Sequence, residues 1–109
     1  MSKPRQYDAF VSYNRRDRRL IDVIARKLAA LGVRCWVDRD LRPGVLWLDE
    51  LSRAFEAIGC CLACFGRSNP SQGQCEEIRW AVQMRMENSE SFRIVTALLP
   101  GRENLPRLI

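Results

Sequence analysis

The six residues CCLACF (60–65) carry no charged, amide or hydroxyl side chain. A strand with one wet face alternates apolar and polar residues, and this one does not. It therefore reads as a strand covered on both faces, as in a parallel sheet with helices above and below. Gly59 stands before it, and the turn-forming run GRSNPSQG (66–73) comes after it. Upstream, Leu48, Leu51, Phe55 and Ile58 recur at helical spacing and predict a helix over about 47–58. Downstream, Ile78, Ala81, Val82 and Met86 predict another from about Gln74. FRIVTALL (92–99) is the next strand, broken by Pro100-Gly101.

The N-terminal half repeats the scheme. YDAFVSY (7–13) reads as a strand, and Asn14 or Asp17 can cap the helix after it. Leu20, Ile21, Ile24, Ala25, Leu28 and Leu31 share one face of that helix, with Arg18, Arg19, Asp22, Arg26 and Lys27 opposite. Gly32 ends it, and VRCWV (33–37) is a strand. DRDLRPGVLW (38–47) is a loop with a turn at Pro43-Gly44. Strand and helix alternate through short links. The expected fold is one α/β domain over residues 1–109, three layers deep, with a central parallel sheet flanked by helices. The fourth strand lies close to Ile109, so the last helix–strand unit of a doubly wound domain is expected to be missing.

Composition narrows the class. The chain has 109 residues, 47% hydrophobic and 28% charged, as in a soluble globular domain. No apolar run nears the roughly 18–20 residues that span a bilayer, and MSKPRQYDAF lacks the apolar stretch of a signal peptide. A cytoplasmic protein with no membrane partner is expected. There are five cysteines and no histidine. In a strand, Cys61 and Cys64 point to opposite faces, so CCLAC reads as small buried hydrophobes in a reducing compartment and no metal is expected. Net charge is +5, densest at RRDRR (15–19). No aromatics interleave there, so it reads as the solvated start of a helix, not a nucleic-acid patch. Its charge still helps to draw in an anionic ligand or an acidic partner.

In an open parallel sheet, ligands bind beyond the carboxyl ends of the strands where the strand order reverses. That point lies between strands one and three if the order is flavodoxin-like. No GxGxxG or GxxxxGK[ST] fingerprint is present, which argues against dinucleotide-dehydrogenase and P-loop enzymes. Position alone brings Glu76 and Glu77 to that end. Acids in a first helical turn are also ordinary helix dressing, worth about 0.3–1 kcal/mol, and position alone leaves both roles open. Cys75 at a helix start invites a nucleophile reading, but no histidine is present to pair with it.

YDAFVSY (7–13), RDLRPG (39–44) and SNPSQGQCEEI (68–78) together resemble the Toll/interleukin-1 receptor (TIR) domain family. The first looks like the family's first box. The second matches its RDxxPG box on the loop after strand two. The third is similar to the segment that carries its functional glutamate. The resemblance implies a flavodoxin-like fold. It also implies one of two functions: hydrolysis of NAD+ between nicotinamide and ribose, or a non-catalytic scaffold working through TIR–TIR contacts. The compact chain, bacterial in character, favours the enzyme, activated by self-assembly in antiphage or innate immune defence. NAD+ is then substrate and no cofactor is needed. The partners are other TIR domains and, as trigger, an attached sensor domain or a separate partner. No direct nucleic-acid contact is expected.

Carried over by position, Glu77 takes the catalytic role, because Ile78 comes after it as an apolar residue comes after the family's glutamate. Phe10, Ser12, Arg15, Trp47 and Ser71 are implied as substrate-binding. Arg39, Asp40, Arg42, Pro43 and Gly44 are implied as an assembly loop. Without the family, Phe10 reads as core, Arg15 as a solvated charge and Ser71 as a helix cap. The family often has Trp four residues before its glutamate and Cys three before; here those positions are Gly73 and Gln74. Trp47 or Trp80 could supply the aromatic surface, with Trp80 better explained by packing.

Overall fold

The computed structural model describes residues 7–37, 58–87 and 90–106. They form β1 (Ala9–Ser12), a 3-10 turn (Arg15–Asp17), α1 (Arg18–Ala30), β2 (Cys35–Trp36), β3 (Cys60–Phe65), α2 (Gln72–Glu87) and β4 (Arg93–Leu98). The expected loop at 38–47 and helix at 47–58 lie outside the described residues, apart from Ile58.

All four strands run parallel in one sheet, in the order β2-β1-β3-β4. From β1 the chain goes to one side for β2 and returns to the other side for β3. The order therefore reverses between β1 and β3, as a flavodoxin-like order requires. Register pairs Phe10 with Cys61, Val11 with Leu62 and Ser12 with Ala63.

Alternation along the strands divides the core into two layers. On one face Phe10, Cys61, Phe92 and Ile58 pack with Ala81 of α2, and Trp36, Trp80, Met84 and Ile94 close around them. On the other face Val11, Tyr13, Cys64 and Leu99 pack with Ile21 of α1. Cys61 and Cys64 thus face opposite ways, as strand alternation demands. Phe10 is wholly buried, with Trp36 edge-on at 5.4 Å between ring centroids. Burial of such a ring stabilises the fold by about 1.5–3 kcal/mol.

Helix ends obey local chemistry. Asn14 caps the 3-10 turn, its Oδ1 accepting from the Arg16 N–H at 3.0 Å. Asp17, at the start of α1, makes no side-chain cap bond. Gly32 stands just past α1 at φ +89°, a left-handed conformation that glycine adopts without strain. β4 is mostly apolar, with Arg93 and Thr96 its polar residues, and much more exposed than β3, with Val95 at 48% and Leu98 at 43%. It is an edge strand among the described residues, as β2 is at the other side of the sheet.

Candidate active site

The site is built at the start of α2. Ser71 Oγ accepts a hydrogen bond from the Gln74 N–H at 3.1 Å, and the Ser71 carbonyl accepts from the Cys75 N–H at 3.0 Å. Ser71 is therefore the N-cap. Residues three and four apart share a helical face, so Gln74, Glu77, Ile78 and Ala81 form the buried stripe of α2. Two of these four are polar, and they stand at the end of the stripe nearest the cap.

Both polar residues meet the ends of the inner strands. Ser12 is the last residue of β1, on the same face as Phe10, and its Oγ donates to Glu77 Oε1 at 2.9 Å. Ser12 and Glu77 are each 0% exposed. Desolvating a carboxylate is expensive unless it is hydrogen-bonded, and the Ser12 hydroxyl offsets part of that cost. Gln74 is 1% exposed, and its amide donates to the carbonyls of Cys64 and Ser12.

Above this layer opens a cleft of about 1400 Å³. Among the described residues, four arginines line it, Arg15, Arg16, Arg18 and Arg67, against one acid, Glu76. Ser71, Gly73 and Gln74 form its α2 side. Arg18 is engaged with Asp22 Oδ1 at 2.9 Å and with the Tyr13 hydroxyl at 3.1 Å; Arg15, Arg16 and Arg67 are exposed. The excess of positive charge suits an anionic ligand.

The loop after β3 is held from two sides. Asn14 Nδ2 donates to the Asn69 carbonyl at 2.9 Å, and Arg102 donates to the Gly66 carbonyl at 3.2 Å. A Cβ on Gly66 would sit 2.5 Å from both carboxylate oxygens of Asp17, so no larger residue fits there with Asp17 in place.

The structure brings Ser12 and Glu77 into contact and puts Ser71 and Arg15 on the cleft above them. Phe10 stays in the core, two residues before Ser12 on the same strand. Glu76 and Glu77 separate completely: Glu76 lines the open cleft, while Glu77 is sealed beneath it. Trp80 packs against the Phe10 cluster. Trp47 and the loop residues Arg39, Asp40, Arg42, Pro43 and Gly44 lie outside the described residues. Sequence reasoning gives no role to Gln74 or Arg67. The Ser71-x-x-Gln74 spacing signals a cap, but nothing in it says where the glutamine amide goes.

Burial raises the thiols of Cys35 and Cys60, with the Asp8 charge a second cause at Cys35. It pushes Cys64 up to about 12, helped by the charges of Cys35 and Asp17. None of these three is an activated nucleophile.

A parallel α/β domain of flavodoxin-like layout, with an acid–hydroxyl pair buried at its switch point, is the class these features define. A family model described as TIR domain matches residues 9–108, and the chain belongs to the TIR domain family. Solved structures agree on the fold. The TIR domain of the Toll-related receptor TRR-2 from Hydra magnipapillata superposes with a TM-score of 0.69 at 19% identity, covering 93% of this chain and 76% of that one. The TIR domains of the activated Roq1 resistosome, which directly recognises the pathogen effector XopQ, give 0.63 at 20% identity, covering 85% and 57%. A metazoan TIR-STING receptor from C. gigas gives 0.62 at 23% identity, covering 99% and 36%. A search of curated proteins finds no significant match. No helix among the described residues is long and apolar enough to cross a membrane.

Proposed function

We propose that this TIR domain is an NAD+ glycohydrolase of the bacterial NAD-hydrolysing type, switched on by self-assembly with other TIR domains and serving cytoplasmic innate immune or antiphage defence. The observation that carries the reading is the buried contact between Ser12 Oγ and Glu77 Oε1, 2.9 Å long, at the switch point of the sheet. Nicotinamide in NAD+ is already a cationic leaving group and departs without being protonated. The ribosyl carbon becomes oxocarbenium-like, as in glycoside hydrolysis. A carboxylate at that point stabilises the growing positive charge and holds the ribose hydroxyls. Water then adds to the ribosyl carbon and loses a proton, giving ADP-ribose and free nicotinamide. A site without histidine suffices for this, and no cofactor takes part. The arginine-lined cleft fits the two phosphates of the substrate, with Arg15 on its wall.

Burial of Glu77 gives assembly its task. A carboxylate with no exposed surface cannot meet a ribose, so turnover requires a rearrangement that opens the layer above it. Association of domains supplies the free energy for that change.

The same burial favours a second reading, a non-catalytic scaffold in which Ser12 and Glu77 only join α2 to the sheet. One experiment separates the two. The domain is forced to cluster, NAD+ is supplied, and free nicotinamide is monitored. Wild type is expected to turn over. Glu77→Gln is expected to lose about 10²–10³-fold in kcat, and Glu76→Gln far less. A clustered wild type that releases nothing establishes the scaffold; Glu77→Gln working at the wild-type rate removes Glu77 from the chemistry.

A further inference from the structure

Gln74 does not behave as its position suggests. Ser71-Gln72-Gly73-Gln74 has the spacing of a capping box, in which the glutamine side chain turns back to the backbone N–H of the cap residue. Ser71 performs its half, accepting from the Gln74 N–H. The Gln74 side chain instead crosses to the sheet, where Nε2 donates to the Cys64 carbonyl at 2.8 Å and to the Ser12 carbonyl at 3.3 Å. Ser12 and Ala63 are the last register pair of β1 and β3. Gln74 adds one side-chain rung just where the backbone ladder stops and the strands part.

We propose that Gln74 is the positioning residue of the Ser12–Glu77 pair. It ties the ends of β1 and β3 to the helix face that presents Glu77 one turn later, and so sets the Ser12 hydroxyl against Glu77 Oε1. The chemistry of the side chain fits this role. An amide NH2 has two hydrogens for two carbonyls and brings no charge beside a buried carboxylate. Methionine fills a similar volume with no donor. Glutamate would set a carboxylate against two carbonyl oxygens.

The catalytic part of the inference rests on Glu77 being the acting carboxylate; the positioning part does not. Misplacing a reacting group by about 1 Å can cost on the order of 10²-fold in rate. The loss therefore falls on kcat, with KM kept, because Gln74 is only 1% exposed and gives the cleft almost no surface, and the other residues that line it are unchanged.

The test uses the full chain carrying Gln74→Met. In the clustered protein, kcat for nicotinamide release is expected to fall at least about 10-fold with KM within about 2-fold. In the unclustered protein, the carboxyl-carbon resonance of Glu77 is expected to move from its wild-type position and titrate differently. A folded Gln74→Met protein with wild-type kcat and an unmoved Glu77 resonance overturns the proposal. If clustered wild type releases no nicotinamide, the enzyme reading falls and the Glu77 resonance alone decides the positioning: a shift upholds it, and none overturns it. Should the variant fail to fold, wild type decides. The Gln74 side-chain amide protons are expected to exchange at least about 100-fold more slowly than those of exposed Gln72, and equal rates overturn the proposal.

Discussion

Ser12 is used twice. Its carbonyl receives the Gln74 amide, and its hydroxyl donates to Glu77. Ser12→Ala removes only the second bond and takes one donor away from a buried carboxylate. A loss of about 1–3 kcal/mol in unfolding free energy is expected. Urea unfolding measures it, and a change below about 0.5 kcal/mol would mean the pair contributes little to stability. Ser12 and Glu77 are singled out in the sequence by the TIR resemblance; a strand end and a helix start place them, but leave Glu76 and Glu77 undistinguished. Gln74 is not. A glutamine in a first helical turn is commonplace, and only tertiary geometry shows its amide leaving the helix for two strands. The adjacent acids Glu76 and Glu77 are equivalent as charges; helical phase, about 100° per residue, sends one to the cleft and the other under it.

At the scale of elements, α2 is tuned at its first turn. Gly73 stands there, and a Cβ added to it meets nothing within 4 Å. Glycine carries extra backbone entropy in the unfolded chain and gains no packing in return. Gly73→Ala is therefore expected to stabilise the domain by about 0.5–1 kcal/mol, seen as a higher melting temperature. An unchanged or lower one would mean that the first turn of α2 needs a glycine backbone. The strands show what pattern conveys and what it omits. CCLACF marks β3 as double-faced, and it is the best-buried described strand after β1. FRIVTALL is also mostly apolar, Arg93 and Thr96 apart, yet β4 is largely exposed. Apolar sequence reports capacity for burial, whereas strand order decides which strand sits outside. β2 is shorter than VRCWV suggests, because only Cys35 and Trp36 pair with β1.

For the molecule as a whole, the face under α1 carries a pH liability. Cys64 is raised from 9.0 to about 12, chiefly by burial, and Cys35 and Cys60 are raised too. Below pH 9 the Cys64 thiol holds its proton folded and unfolded, and stability does not depend on it. Between about 9 and about 12 the unfolded chain releases that proton while the native one retains it. Stability must then fall with rising pH. Unfolding free energies from about pH 8 to about pH 11 are expected to decline, and Cys64→Ala to flatten the decline; an unaltered slope would assign it to other groups. The parallel topology has a further consequence, in time. Phe10 pairs with Cys61, and Ser12 meets Glu77 across 65 positions of chain. No hairpin nucleates such a sheet, and each inner pairing must close a long loop before any contact rewards it. A growing chain holds the Ser12 end of the site long before the Glu77 end exists. The site cannot form piecemeal, and an unfinished or misfolded chain holds no carboxylate–hydroxyl pair.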